Sequence, residues 1–232
     1  MRGRICLRIL LLVVPAGSAF GQANFSADIV DLRKPRTPVL AKLAFTQDKR
    51  RLDMQAASEE GSIVMLLSER TKERPATEMR VGGTGRAIIL NLVNHTSTLL
   101  APDQKTFNTE PGHRLKPAEL YGLYAIVHPA NVDDACPEWM GAPNAEGETC
   151  KKIGVETVNG RIAVKYDLSC YKETCHLWID RRLHVIVKRE TKWNSTELRN
   201  IVEAPLDYSW FQIPPGYVEG KLGGIIQQSQ PQ

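Results

Sequence analysis

Residues 162–180 read "IAVKYDLSCYKETCHLWID". Two runs of alternating apolar and polar residues flank "YKET", and that is the form of a β-hairpin with one buried and one wet face. In the register that sets Cys170 opposite Cys175, Leu168 faces Leu177 and Tyr166 faces Ile179 on one side. On the other side Asp167 meets Trp178, Ser169 meets His176, and Lys165 meets Asp180 as an opposite-charge pair. One register therefore serves both faces, and this segment predicts antiparallel sheet.

Working outward, "KKIGVETVNGRIAVKYDLS" carries Asn159-Gly160, a strong two-residue hairpin signal. "LHVIVKRET" and "TELRNIVEA" follow, separated by Arg181-Arg182 and by Asn194-Ser195. Upstream, similar alternation predicts strands over 25–32, 39–47, 49–55, 87–93 and 97–102. Residues 57–86 read as a strand followed by a mobile loop. Their "GGTG" lacks the Lys-Ser/Thr of a phosphate loop and the glycine spacing of a dinucleotide fold. One helix is predicted over 116–127, "KPAELYGLYAIV", with Pro117 in its first turn and Leu120, Leu123, Tyr124 and Val127 at helical spacing. Residues 221–232, ending in "GGIIQQSQPQ", read as a disordered tail.

The chain has 232 residues and opens "MRGRICLRILLLVVPAGSAFGQA". Arg2, Arg4 and Arg8 precede a short apolar run, and small residues follow, so residues 1–23 read as a secretory signal peptide cleaved after Gly21 or Ala23. The run from Ile9 to Val14 is too short for a membrane span. No cysteine stands at the processing point, so a lipid-anchored product is not expected; the expected product is periplasmic or secreted, with a single domain over 24–220. Three of the 30 basic residues lie in the leader, against 26 acidic ones in all. The mature chain is thus near neutral, and no nucleic-acid partner is expected.

Export bears on the cysteines, because thiols outside the cytoplasm tend to be oxidised. Of the five, Cys6 leaves with the leader. Zinc knuckles and thioredoxin-type pairs need other spacings than those of Cys136, Cys150, Cys170 and Cys175. Two disulfides, 136–150 and 170–175, are the expectation, the first closing "CPEWMGAPNAEGETC" and the second stapling the opening hairpin.

Taken in order, three segments resemble the LolA-like family of periplasmic lipoprotein carriers. "LVNHTSTLLAPDQKTF" (92–107) is similar to that family's strand, turn and strand segment. "LWIDRRLHVIVKRET" (177–191) resembles its later hairpin, and "FQIPPGYVEG" (211–220) its closing strand. The resemblance implies a mainly β (α+β) fold: an incomplete antiparallel β-barrel wrapped around one or a few helices, with an apolar concavity for acyl chains. Carriers commonly latch a lid with an Arg-Pro step ahead of the third strand. "FTQDKRRLDM" (45–54) has no such step, so no latch is assigned to Arg50 or Arg51.

The function so implied is binding of a lipid, an acyl chain or an acylated protein, with envelope lipoproteins as partners and no cofactor or metal. Phe45, Ile88, Leu90, Leu92, Tyr166, Leu168, Leu177, Ile179, Val185 and Val187 are the candidate lining, one face of each strand. A secreted hydrolase is the first alternative. It would need a nucleophile and an oriented base, yet His95, His113, His128, His176 and His184 form no His-Glu-x-x-His motif and no Gly-x-Ser-x-Gly elbow exists. The second alternative is a protein-binding module acting through exposed Trp139, Trp178 or Trp193. The Asn-x-Ser/Thr sequons at Asn24, Asn94 and Asn194 carry weight only in a glycosylating host.

Overall fold

A computed structural model describes residues 24–33, 36, 39–54, 63–68, 77–81, 85–94, 96–111, 129–140, 149–170, 173–192, 195–220 and 226–228. The leader, the helix expected at 116–127, and His95, His113, His128 and Trp193 lie outside them. So do the side chains of Trp139 and Cys170.

Eight strands come first: β1 (Phe25–Asp31), β2 (Val39–Phe45), β3 (Lys49–Met54), β4 (Ile63–Ser68), β5 (Thr77–Val81), β6 (Ala87–Asn91), β7 (Thr96–Ala101) and β8 (Thr106–Pro111). A 3₁₀ turn, Val132–Asp134, leads into a short helix, α1 (Cys136–Met140). Then come β9 (Cys150–Val158), β10 (Arg161–Cys170), β11 (Glu173–Asp180), β12 (Ile186–Glu190) and β13 (Ser195–Glu203). A second 3₁₀ turn, Tyr208–Phe211, precedes β14 (Val218–Glu219) and β15 (Ile226–Gln228).

The fold is mainly β. Twelve strands form one sheet in the order β14-β8-β7-β6-β3-β2-β1-β13-β12-β11-β10-β9. The two meanders join where β1 pairs antiparallel with β13, and the sheet does not close, because β14 and β9 stand at its ends. A separate three-stranded sheet runs β15-β5-β4. The strand-then-loop expectation for 57–86 is corrected here, since β4 and β5 form a hairpin. Ile226–Gln228, in the segment read as a tail, pairs with β5.

Alternation decides the faces. In β3 the pattern buries Arg50, Leu52 and Met54 and leaves Lys49, Arg51 and Asp53 only part-covered. The inner face carries one apolar cluster that includes Phe25, Ile29, Leu43, Phe45, Leu52, Leu90, Tyr166, Leu177 and Leu198. The outer face carries a smaller one, Ala44, Ala87, Ile89, Leu100 and Phe211. Phe211 comes from the Tyr208–Phe211 turn. That turn is held over the outer face by Arg51, whose Nη1 donates to the Trp210 carbonyl at 2.7 Å.

The turns follow local chemistry. Asn159 and Gly160 have φ of 48° and 75°, the paired positive values that a type I′ hairpin turn requires. At the Arg181-Arg182 turn, Asp180 Oδ1 accepts from the backbone N–H of Arg182 at 2.8 Å and of Leu183 at 2.7 Å.

The hairpin of β10 and β11 corrects the expected register. Leu168 faces Cys175, Tyr166 faces Leu177, Val164 faces Ile179, and Cys170 faces Glu173. The strands run further toward the turn than expected and leave only residues 171–172 to connect them, which adds ladder hydrogen bonds. A displacement of two residues keeps every side chain on its face. It brings Asp167 opposite His176 and Lys165 opposite Trp178.

Candidate functional site

The inner face gathers the nominated lining residues with one exception. Phe45, Ile88, Leu90, Tyr166, Leu168, Leu177, Ile179, Val185 and Val187 are all buried and belong to the same cluster. Leu92 stands apart: it is half-buried in the turn after β6, and its N–H donates to the Asp48 carbonyl at 2.8 Å.

A cation sits in this apolar face. Arg50 has 0 % of its surface exposed, its guanidinium carbon lies 3.2 Å from the Phe45 ring centroid, and Nη1 donates to the Lys49 carbonyl at 2.8 Å. Phe45 in turn stacks on Phe25, with centroids 4.6 Å apart. Burial lowers the Arg50 pKa to about 9, opposed by the charge of Asp48. An arginine stays protonated at neutral pH even so, and the stack on Phe45 suits its planar, weakly hydrated group better than it would suit an ammonium. Sequence reasoning missed Arg50, although strict alternation along "KRRLDM" sets it on the face of Leu52 and Met54.

Tyr166 has two roles on this face. Its ring is part of the cluster, and its hydroxyl donates to the Val132 carbonyl at 2.7 Å and accepts from the Ala135 N–H at 3.1 Å. The Val132–Asp134 turn is thereby pinned onto the inner face, where Val132 and Ala135 are buried. Further ties hold the same segment. Cys136 and Cys150 form a disulfide, with Cα atoms 5.5 Å apart. Asp133 receives Arg181 Nη2 at 2.5 Å and Lys152 Nζ at 3.1 Å. The hydrogen bonds from those two cations hold the Asp133 carboxyl below the usual range. His184 Nδ1 meets the Pro129 carbonyl at 3.0 Å.

Cys175 is also disulfide-bonded, which removes it as a nucleophile. His176 points to the other face and pairs with Asp167 Oδ1 at 2.6 Å. Among the described residues no group of three or more His, Cys, Asp or Glu side chains could hold a metal ion. None of their helices is long and apolar enough to cross a membrane.

The expectation that Trp178 is exposed is corrected. It is 2 % exposed, covered by Lys165 and Lys188 at 4.6 and 4.4 Å from the ring, and its Nε1 donates to Glu156 Oε2 at 2.6 Å. The lysines stand directly across from it on both neighbouring strands, where their stems cover the indole and their charges favour its π-face.

No family model and no curated protein matches the sequence. Solved structures with a similar chain path include PNGF-II, with 10 % identity and a TM-score of 0.42, covering 85 % of this chain and 31 % of that one. An uncharacterized conserved protein from Thermus thermophilus has 7 % identity and a TM-score of 0.42 over 87 % of this chain and 91 % of that one. A LolA superfamily protein from Nitrosomonas europaea has 8 % identity and a TM-score of 0.25 over 82 % and 90 %. The chain spans about a third of the length of the PNGF-II chain it matches. These are likenesses of general form and carry nothing about activity.

Proposed function

We propose that the protein is exported to the cell envelope and binds a lipid, an acyl chain or an acylated protein on the inner face of its open sheet. The observation that carries this reading is the composition of that face. A continuous apolar cluster from β6 across to β10 and β11 surrounds a buried guanidinium. Burial of an acyl chain there would contribute about 0.8 kcal/mol per methylene. Arg50 supplies charge for an acidic headgroup at neutral pH, and Phe45 holds it in place.

The reading requires no catalytic group. His176 faces away from the cluster, and Cys175 is oxidised. A titration of the purified mature chain with a fluorescent fatty acid tests the proposal. Saturable binding that oleate displaces supports it, and a linear, non-displaceable signal counts against it.

A further inference from the structure

The outer face of the sheet, opposite the large apolar cluster, carries a hollow of about 330 Å³, at the lower end of the ~300–1,000 Å³ that small-ligand pockets occupy. Strand register builds it. Ser26 faces Ala44 and Ala44 faces Arg51 across β1, β2 and β3, and in the next row Asp28 faces Lys42 and Lys42 faces Asp53. Ser26 and Ala44 are the small members of these rows, so the surface is low there and the longer side chains stand around it. Trp210 lines the hollow from the Tyr208–Phe211 turn, with 45 % of its surface exposed.

Asn200 reaches this hollow against the parity of its strand. Leu198 belongs to the inner cluster, and strict alternation would send Asn200 to the same side. The pairing of β1 with β13 shifts here: Ser26 faces Val202 and Asp28 faces Arg199, so Asn200 and Ile201 both stand opposite Ala27. A bulge of this kind re-aims a side chain. Asn200 takes a φ of 51°, a left-handed conformation that asparagine adopts at lower cost than most residues. Its Nδ2 then donates to Asp28 Oδ2 at 2.7 Å on the outer face. The Trp210 backbone is fixed as well, since its carbonyl accepts from Arg51 Nη1 at 2.7 Å and its N–H donates to the Asp207 carbonyl at 3.1 Å.

The lining selects a chemical class. Two carboxylates, Asp28 and Asp53, are balanced by Lys42 and Arg51, so no surplus of either sign draws an ion in. Arg51 Nε is already committed to both oxygens of Asp53. An apolar ligand would strip water from these charged groups without replacing it. A neutral polyhydroxylated molecule meets neither objection. Its hydroxyls can donate to Asp28, whose carboxylate keeps acceptor capacity beyond the bond from Asn200, and can accept from Lys42 and the Asn200 amide. Hydrogen bonds to charged groups are the stronger kind, and the indole adds apolar surface for the C–H face of a sugar ring.

We propose that this hollow is a saccharide-binding site, in which an uncharged sugar unit lies between Trp210 and the Asp28–Asn200 pair. It uses none of the nominated inner lining residues and is independent of what the inner face binds.

Calorimetric titration of the mature chain with maltose, cellobiose and N,N′-diacetylchitobiose, beside an array of neutral and charged glycans, tests it. At least one neutral saccharide should bind saturably at millimolar or lower concentration. Its affinity should be nearly the same at low and high salt, because the ligand carries no charge to screen. Asn200→Gly, which suits the left-handed backbone, and Trp210→Ala should each weaken that binding at least about tenfold and keep the wild-type far-ultraviolet circular dichroism spectrum. A chain that binds no neutral glycan at millimolar concentration would overturn the proposal. So would binding confined to charged sugars and abolished by salt, or an affinity indifferent to both substitutions.

Discussion

The Tyr166 hydroxyl donates to the carbonyl of Val132, 34 residues earlier, at 2.7 Å. This one contact joins the middle of β10 to the segment around Val132 that packs on the inner face from outside the sheet, and Tyr166 is fully buried. Tyr166→Phe removes that donor, and also the acceptor of the Ala135 N–H, while filling nearly the same volume. Leaving two buried backbone groups unsatisfied should cost about 1–3 kcal/mol. Urea denaturation measures the loss, and hydrogen exchange should show it concentrated in residues 129–140.

Reduction of the Cys136–Cys150 disulfide should act on the same segment. The bond closes a separation of 14 residues, worth about 3 kcal/mol in the chain-entropy account. Cys136→Ser with Cys150→Ser should therefore lower the thermal midpoint and release protection over α1 before the β1–β13 junction is affected. Uniform loss across the sheet would mean that the bridge supports the whole fold.

Arg50 tests the chemistry of the buried cation. Arg50→Lys retains the charge but loses the planar stack on Phe45 at 3.2 Å and exchanges a group that stays protonated for one that loses its proton readily when buried. A depressed lysine pKa in the folded state makes the variant least stable at low pH. Its deficit relative to the wild type should shrink as pH rises from 6 toward 9, as chemical denaturation at several pH values would show.

Acid should loosen the outer face at Trp178. The hydrogen bond from the indole, helped by Lys165 and Lys188, holds the Glu156 carboxyl below its ordinary value of 4.5. A carboxylate with a depressed folded pKa contributes stability above its unfolded pKa and loses it as pH falls through the folded value. The Trp178 environment should therefore stay constant as pH falls from 7 to the ordinary carboxylate value and change only below it. Glu156→Gln, which keeps an acceptor but does not titrate, should abolish that change in tryptophan fluorescence.

Much of this was legible in the sequence, for reasons of period. Alternation found β1, β2, β3, β6 and β7 to within a residue or two, and Asn159-Gly160 was a turn in sequence before it was one in space. Faces were legible even where register was not: the shift of two residues in the β10 and β11 hairpin preserved the side of Tyr166, Leu168, Leu177 and Ile179. Arg50 was obscured by its charge, because composition assigns an arginine to solvent, whereas strand parity and the aromatic ring beside it hold it inside. Trp178 was misjudged for a related reason. Its cover comes from lysines on two neighbouring strands, and cross-strand partners are set by register. Leu92 belongs to the turn because β6 ends at Asn91.

The central claim, that the inner face takes an apolar ligand, is tested most directly by native mass spectrometry. The chain, produced with its leader in a bacterial host and recovered from the envelope, would be sprayed intact and then extracted into organic solvent for lipid analysis. The account predicts a discrete mass above that of the mature polypeptide, released by extraction as an acyl-containing molecule. A chain that is empty as isolated and stays empty with added fatty acid or phospholipid would contradict it, and the inner face would then be a filled core.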